Sequence, residues 1–277
     1  MSVRSVCALS VFAAIISGAT LSAQNTPMWG SGSYDASRRT PSGPTWNIVT
    51  APPNGGGATD VGTVSINELA HKVPAKALKE WERAQKARDK GQTSEAVAHF
   101  EKATDIDPEF VAAHNNAGAL LLLEGKSEPA LKHLQACVKL DPHNAMPVSN
   151  MAVAYMMQQR FADAEEAARR GLDLDRTGNR VRLIYALSLV MQDKFTQDAM
   201  QALERAQDEY PQARLLSARI YAAWGKRDEA LESVNIYLKS GEPTGVDLAK
   251  QWKEILENLP QRQPVMAKAQ SVSDQQQ

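Results

Sequence analysis

Apolar side chains recur at three- and four-residue intervals from about residue 73 to 260, the period of helices that bury one face. Two such stretches are separated by a turn, and the pattern then begins again. Gly91 and Gly125 occupy that turn in the first two copies and Gly225 in the fifth, where glycine supplies a left-handed backbone without strain. Gln159 and Lys194 stand nearby in the third and fourth copies. Pro74 fits the first position of the first helix, where its missing N–H is no loss. A last amphipathic stretch, about residues 244–259, puts Leu248, Trp252, Ile255, Leu256 and Leu259 on one face and Lys250, Gln251, Lys253 and Glu254 on the other. It is expected to lie over the fifth copy and close the array with a polar outer face.

Small residues set the register. Ala96, Ala130, Ala164, Ala199 and Ala230 follow one another at 34, 34, 35 and 31 residues. A second small series, Ala84, Gly118, Ala152, Ala186 and Ala218, precedes them. A third follows as Ala103, Cys137, Gly171 and Ala206, with bulky Tyr237 in the fifth copy. Pro108, Pro142, Arg176 and Pro211 come next. A period near 34 marks a solenoid of helix pairs. Small residues at fixed places let neighbouring helices approach closely, where a large side chain would wedge them apart. The fold class expected is an all-α superhelix of about five helix pairs with a C-terminal capping helix.

These residues resemble the tetratricopeptide repeat family over about two thirds of the chain. The fourth copy carries one extra residue between Ala186 and Ala199, and the fifth lacks three between Pro211 and Ala218, so the pitch there departs from the pattern. In that family the first helix of each pair lines a concave surface. Carried over residue by residue, the surface takes Asn115, Asn116, Leu122 and Leu123 from the second copy. The third gives Asn150, Val153, Met156 and Met157, and the fourth gives Arg180, Leu187 and Met191. An amide offers both a donor and an acceptor, so these asparagines either hold an extended peptide backbone or bond the neighbouring helix. The methionine and leucine side chains either accept varied apolar partners or belong in part to the core, and the chain's own Gly-rich segment or last helix is a rival occupant. Arg180, with Arg176 and Arg182, suits a carboxylate, although Asp173 and Asp175 stand close by in sequence. Trp81, Gln85 and Met146 stand where the carboxylate clamp of chaperone-binding relatives needs lysine or asparagine, so that mode of binding is not implied.

The flanks are different in kind. Residues 1–23 read as a signal peptide: Arg4, an apolar stretch over 6–16, then Ser17, Gly18, Ala19, Ser22 and Ala23. Its removal predicts an exported protein, periplasmic or secreted, without a stable membrane span. Residues 24–72 are a Gly-, Pro- and Ser-rich tether ending in a short transition segment, and residues 261–277 a polar tail; such composition cannot bury enough apolar surface to offset the entropy of ordering. Loss of the leader takes Cys7 with it and leaves Cys137 alone, which rules out an intrachain disulfide.

A formal net charge of −1 gives no electrostatic reason to expect nucleic acid. His71, His99, His114, His133 and His143 show no metal-ligand spacing, and the glycine clusters at 30–32 and 55–57 lie in the tether, so no cofactor is expected. The function expected is a non-catalytic scaffold that binds another protein or peptide in the groove. The alternative is a self-assembling component of a cell-envelope complex, a homo-oligomer. A remote third reading is an enzyme using Cys137, four residues from His133 on one helix.

Overall fold

The computed structural model describes residues 71–243 and 245–258. The expected leader, nearly all of the tether, the polar tail, Thr244 and Leu259 lie outside them. Among the described residues there are eleven α-helices and no strand. The first pair is α1 (Ala75–Asp89) and α2 (Thr93–Ile106), the second α3 (Val111–Leu123) and α4 (Ser127–Leu140). The third is α5 (Ala145–Met157) and α6 (Phe161–Leu174), the fourth α7 (Asn179–Met191) and α8 (Gln197–Ala206). The fifth is α9 (Ala213–Ala223) and α10 (Arg227–Lys239), and α11 (Val246–Asn258) follows. Each helix packs on the next in sequence. In addition α3 touches α5, α5 touches α7 and α7 touches α9, so the first helices of successive pairs form the tighter, inner side of the stack.

The small positions are where helices meet. Ala84, Ala152, Ala186 and Ala218, and the whole series Ala96, Ala130, Ala164, Ala199 and Ala230, are fully enclosed. A Cβ built on Gly118 would fall 2.8 Å from Leu134 Cγ, and one on Gly171 would fall 3.0 Å from Ser149 Oγ and 3.2 Å from Val181 Cγ1. A side chain at Gly118 would therefore force Leu134 to shift, and one at Gly171 would press on Ser149 and Val181. Tyr237 is accommodated because the last helix meets it with a small residue: it shares a buried cluster with Ala218, Ala249 and Leu256. Burial pushes its phenol well above the ordinary value.

The within-pair turns repeat a left-handed residue. Gly91, Gly125 and Gly225 have φ of 73°, 76° and 76°, and Gln159 and Asp193 take the same place at 57° and 56°. Asp193, not Lys194, is thus the turn residue of the fourth copy. It lies seven residues after Ala186, the spacing of every other copy, so the extra residue falls after the turn. There it is absorbed by the start of α8, where the Thr196 side chain accepts from Ala199 N. Gln159 is exposed and its left-handed backbone is disfavoured for a residue with a Cβ. Gln159→Gly is therefore expected to stabilise the protein by about 1 kcal/mol, read as an increased urea midpoint; an unchanged midpoint contradicts it.

The last helix differs from its expected face in one residue. Ala249 and Leu256 are buried, and Leu248 and Trp252 are half-buried, but Ile255 remains exposed. The helix is anchored through its carbonyls: Arg227 of α10 donates from Nε to Leu256 O at 2.6 Å and from Nη2 to Glu257 O at 2.7 Å. A cation at the negative end of a helix dipole is favourable on both hydrogen-bond and electrostatic grounds.

Candidate functional site

The inner wall is formed by α3, α5 and α7. Their residues are apolar nearly all round, because each packs on its own partner, on the second helix of the preceding pair and on at least one neighbouring first helix. The structure brings the eleven expected groove residues onto these three helices, but it divides them into two groups. Leu123, Val153, Met157, Arg180 and Met191 keep partial exposure. Asn115, Asn116, Leu122, Asn150, Met156 and Leu187 are enclosed. For Leu122, Met156 and Leu187 the core role prevails over a lining role, since alanines at neighbouring positions let the adjoining helices close over them.

The asparagines bond between repeats. Arg180 Nη2 donates to Asn150 Oδ1 at 3.0 Å. Asn150 Nδ2 donates to Asn115 Oδ1 at 3.5 Å, a long bond, and Asn115 Nδ2 donates to Met146 Sδ at 3.2 Å. The three polar side chains make a ladder from α7 through α5 to α3: the Arg180 and Asn150 donors point toward α3, and Asn115 donates back to Met146 on α5. Asn116, which stands in the second copy where Asn150 stands in the third, is not on it. Its side chain is fully enclosed, and neither amide atom has a hydrogen-bond partner. Asn115 is the residue that continues the ladder, one position earlier.

Arg180 is half-buried with its guanidinium Nε enclosed. Burial lowers its proton affinity and the Tyr210 phenol beside it opposes that shift; a guanidinium starts so high that it remains a cation. The inner faces of α3 and α5 carry no carboxylate, since neither helix contains Asp or Glu. The accessible part of this wall is therefore a run of leucine, valine and methionine toward the C-terminal ends of the helices, with the Arg180 cation at the start of α7.

The Cys137 thiol is buried and donates to Val111 O at 3.3 Å. His133 turns Nδ1 toward His114 instead, at 3.0 Å. Activation of a thiol needs an exposed site and a base on the sulfur, and this arrangement places the nearby imidazole in another contact. Among the described residues no group of three or more His, Cys, Asp or Glu could hold a metal ion, and no helix is long and apolar enough to cross a membrane.

Two family models match the stack: TPR repeat over residues 84–125 and tetratricopeptide repeat over residues 121–187. Residues 84–187 are thus tetratricopeptide repeats. Among curated relatives, the peroxisomal targeting signal receptor of Yarrowia lipolytica is 35% identical over 65 residues, 24% of this chain and 11% of that protein. The TPR repeat-containing thioredoxin TTL4 of Arabidopsis thaliana is 34% identical over 80 residues, 29% of this chain and 11% of that protein. The chain thus spans about a tenth of the length of these relatives. Among solved structures, that of YrrB, described as a TPR protein with an unusual peptide-binding site, has a TM-score of 0.55 at 16% identity, covering 64% of this chain and 92% of YrrB. That of MamA has a TM-score of 0.54 at 21% identity, covering 63% of this chain and 94% of MamA. At these identities the structures speak for the fold alone. The helical-repeat superhelix and a general role in protein–protein interaction follow from the repeats.

Proposed function

We propose that this protein is an exported binding scaffold whose inner wall, from α3 to α7, holds an extended segment of another protein. The observation that carries the reading is the exposed remainder of that wall: Leu123, Val153, Met157 and Met191 lie toward the C-terminal ends of first helices that touch in series, and Arg180 lies at the start of α7. Flexible thioether side chains fit apolar partners of varied shape. A partner whose apolar residues enter this run and whose carboxylate meets Arg180 matches the wall's chemistry. The asparagine ladder contributes indirectly, by fixing the spacing and orientation of the helices that present these side chains. Function is then binding without turnover. Export follows from the leader-like composition of residues 1–23.

A photo-crosslinking residue placed at position 157 in the full chain, in cells, tests this directly. It is expected to give adducts with another protein, whereas the same residue at exposed position 166 on α6 gives none. Introducing Met191→Glu beside the probe is expected to remove most of the adduct, roughly tenfold or more, because a charge must be desolvated without a partner. Equal capture from positions 157 and 166, or adducts unchanged by Met191→Glu, would exclude this wall as the binding face.

A further inference from the structure

One pair of titratable groups stands outside the binding face. His114 on α3 and His133 on α4 approach with Nδ1 atoms 3.0 Å apart and ring centroids 5.2 Å apart, so the two nitrogens face each other between the rings. The protons can be assigned from the surroundings. His114 Nε2 lies 3.1 Å from Pro108 O, and a carbonyl only accepts, so the His114 proton sits on Nε2 and Nδ1 presents a lone pair. His133 Nδ1–H then donates to it. His133 Nε2 lies 3.9 Å from Glu101 Oε1.

Successive protons have opposite effects on this pair. The first goes to His133 Nε2, facing Glu101. The resulting imidazolium keeps its Nδ1–H on His114, and the bond between the rings becomes charge-assisted. The second has only His114 Nδ1 left, which is the acceptor of that bond. Two N–H groups and two positive charges then face each other across 3.0 Å in a half-buried place. The charged groups around the pair are Glu101 and Asp105 on α2 and Asp107 in the turn after it. Asp107 and Glu109 are also engaged by His71, at 2.8 and 3.3 Å. α5, the next helix, carries no charged side chain.

We propose that His114 and His133 form an acid-sensitive latch between the two helices of the second repeat, held through the first added proton and opened by the second. α3 carries Asn115 and Leu123 to the inner wall, so opening the latch loosens that wall at one end; this consequence rests on the wall being the binding face, while the latch itself does not. Burial lowers the proton affinity of both rings, and for His114 the charge on His133 lowers it further, which agrees with His114 being the last to titrate. Because both folded values lie below the unfolded one, each proton costs stability, the first through burial of its charge although the bond between the rings is kept and the second also through loss of that bond; the stabilisation is complete above about pH 6.5 and is lost as pH falls through the lowered folded values.

Imidazole nitrogen NMR of the full chain between pH 8 and 5 tests the assignment. His114 is expected as the Nε2–H tautomer, with a titration that follows that of His133 and lies below the ordinary histidine range. In His133→Gln the His114 titration is expected to move up. Acidification from pH 7.5 to 5 should lower the melting temperature of the wild type by roughly 3 °C more than that of the His114→Gln/His133→Gln variant. Independent titration of the two rings at ordinary values, or an unmoved His114 in His133→Gln, overturns the latch. Should the variants not fold, the wild-type tautomer and order of titration decide alone.

Discussion

Gly118→Val is expected to lower the unfolding free energy by about 3 kcal/mol, the upper part of the range for overpacking a core. The position lies where α3 crosses α4. Even the first added carbon would sit 2.8 and 2.9 Å from Leu134 Cγ and Cδ2 and 3.3 Å from the Ala130 carbonyl. Leu134 is itself fully enclosed and has no room to withdraw. The better helix propensity of valine offsets only a few tenths of a kcal/mol. Leu134→Ala alone is expected to cost about 3 kcal/mol through the cavity it leaves. The double variant should cost clearly less than the sum, with a coupling of about 1–3 kcal/mol, because Leu134→Ala empties the space that the valine fills. Urea unfolding of the four proteins measures this. Additive losses, or a valine tolerated within about 0.5 kcal/mol, would show that the crossing has slack.

The second large effect is expected at Asn150, the middle of the ladder. Asn150→Leu removes the acceptor of Arg180 Nη2 and the donor to Asn115 Oδ1 in a buried place. Leaving such groups without these bonds costs about 2–3 kcal/mol. Asn150→Asp separates the two contacts. It keeps an acceptor for Arg180, now charge-assisted, but turns a carboxylate oxygen toward the Asn115 oxygen. It is therefore expected to be milder than leucine and still below the wild type. Unfolding midpoints of both variants at low and high salt check the order, since only the aspartate's Arg180 contact is weakened by salt. A leucine as stable as the wild type would mean that the ladder is incidental to the packing of α3, α5 and α7.

Much of the architecture could be read from the chain because tight crossings have a residue-type signature. A position that admits only alanine or glycine looks the same in every copy, and all five members of the Ala96 series proved to be enclosed. The turn of the fourth copy was misplaced by one residue because counting back from Ala199 crosses the extra residue, whereas counting forward from Ala186 reaches Asp193. The inner wall was only half legible. Periodicity separates one face of a helix from the other, but α3, α5 and α7 are apolar nearly all round, so Leu122 and Leu123 look alike in sequence while one is buried and the other half-open. The contacts of Asn150 with Asn115 and Arg180 span 35 and 30 residues and join separate repeats. Nothing local distinguishes Asn115 from Asn116. The meeting of His114 with His133 depends likewise on the side-chain directions of two facing helices.

Arg227 ties the last described helix to the fifth pair. By donating to the carbonyls of Leu256 and Glu257 it couples α10 to the last described turn of α11. An engineer lengthening the array would therefore splice new modules upstream of Val246 and leave this lock in place.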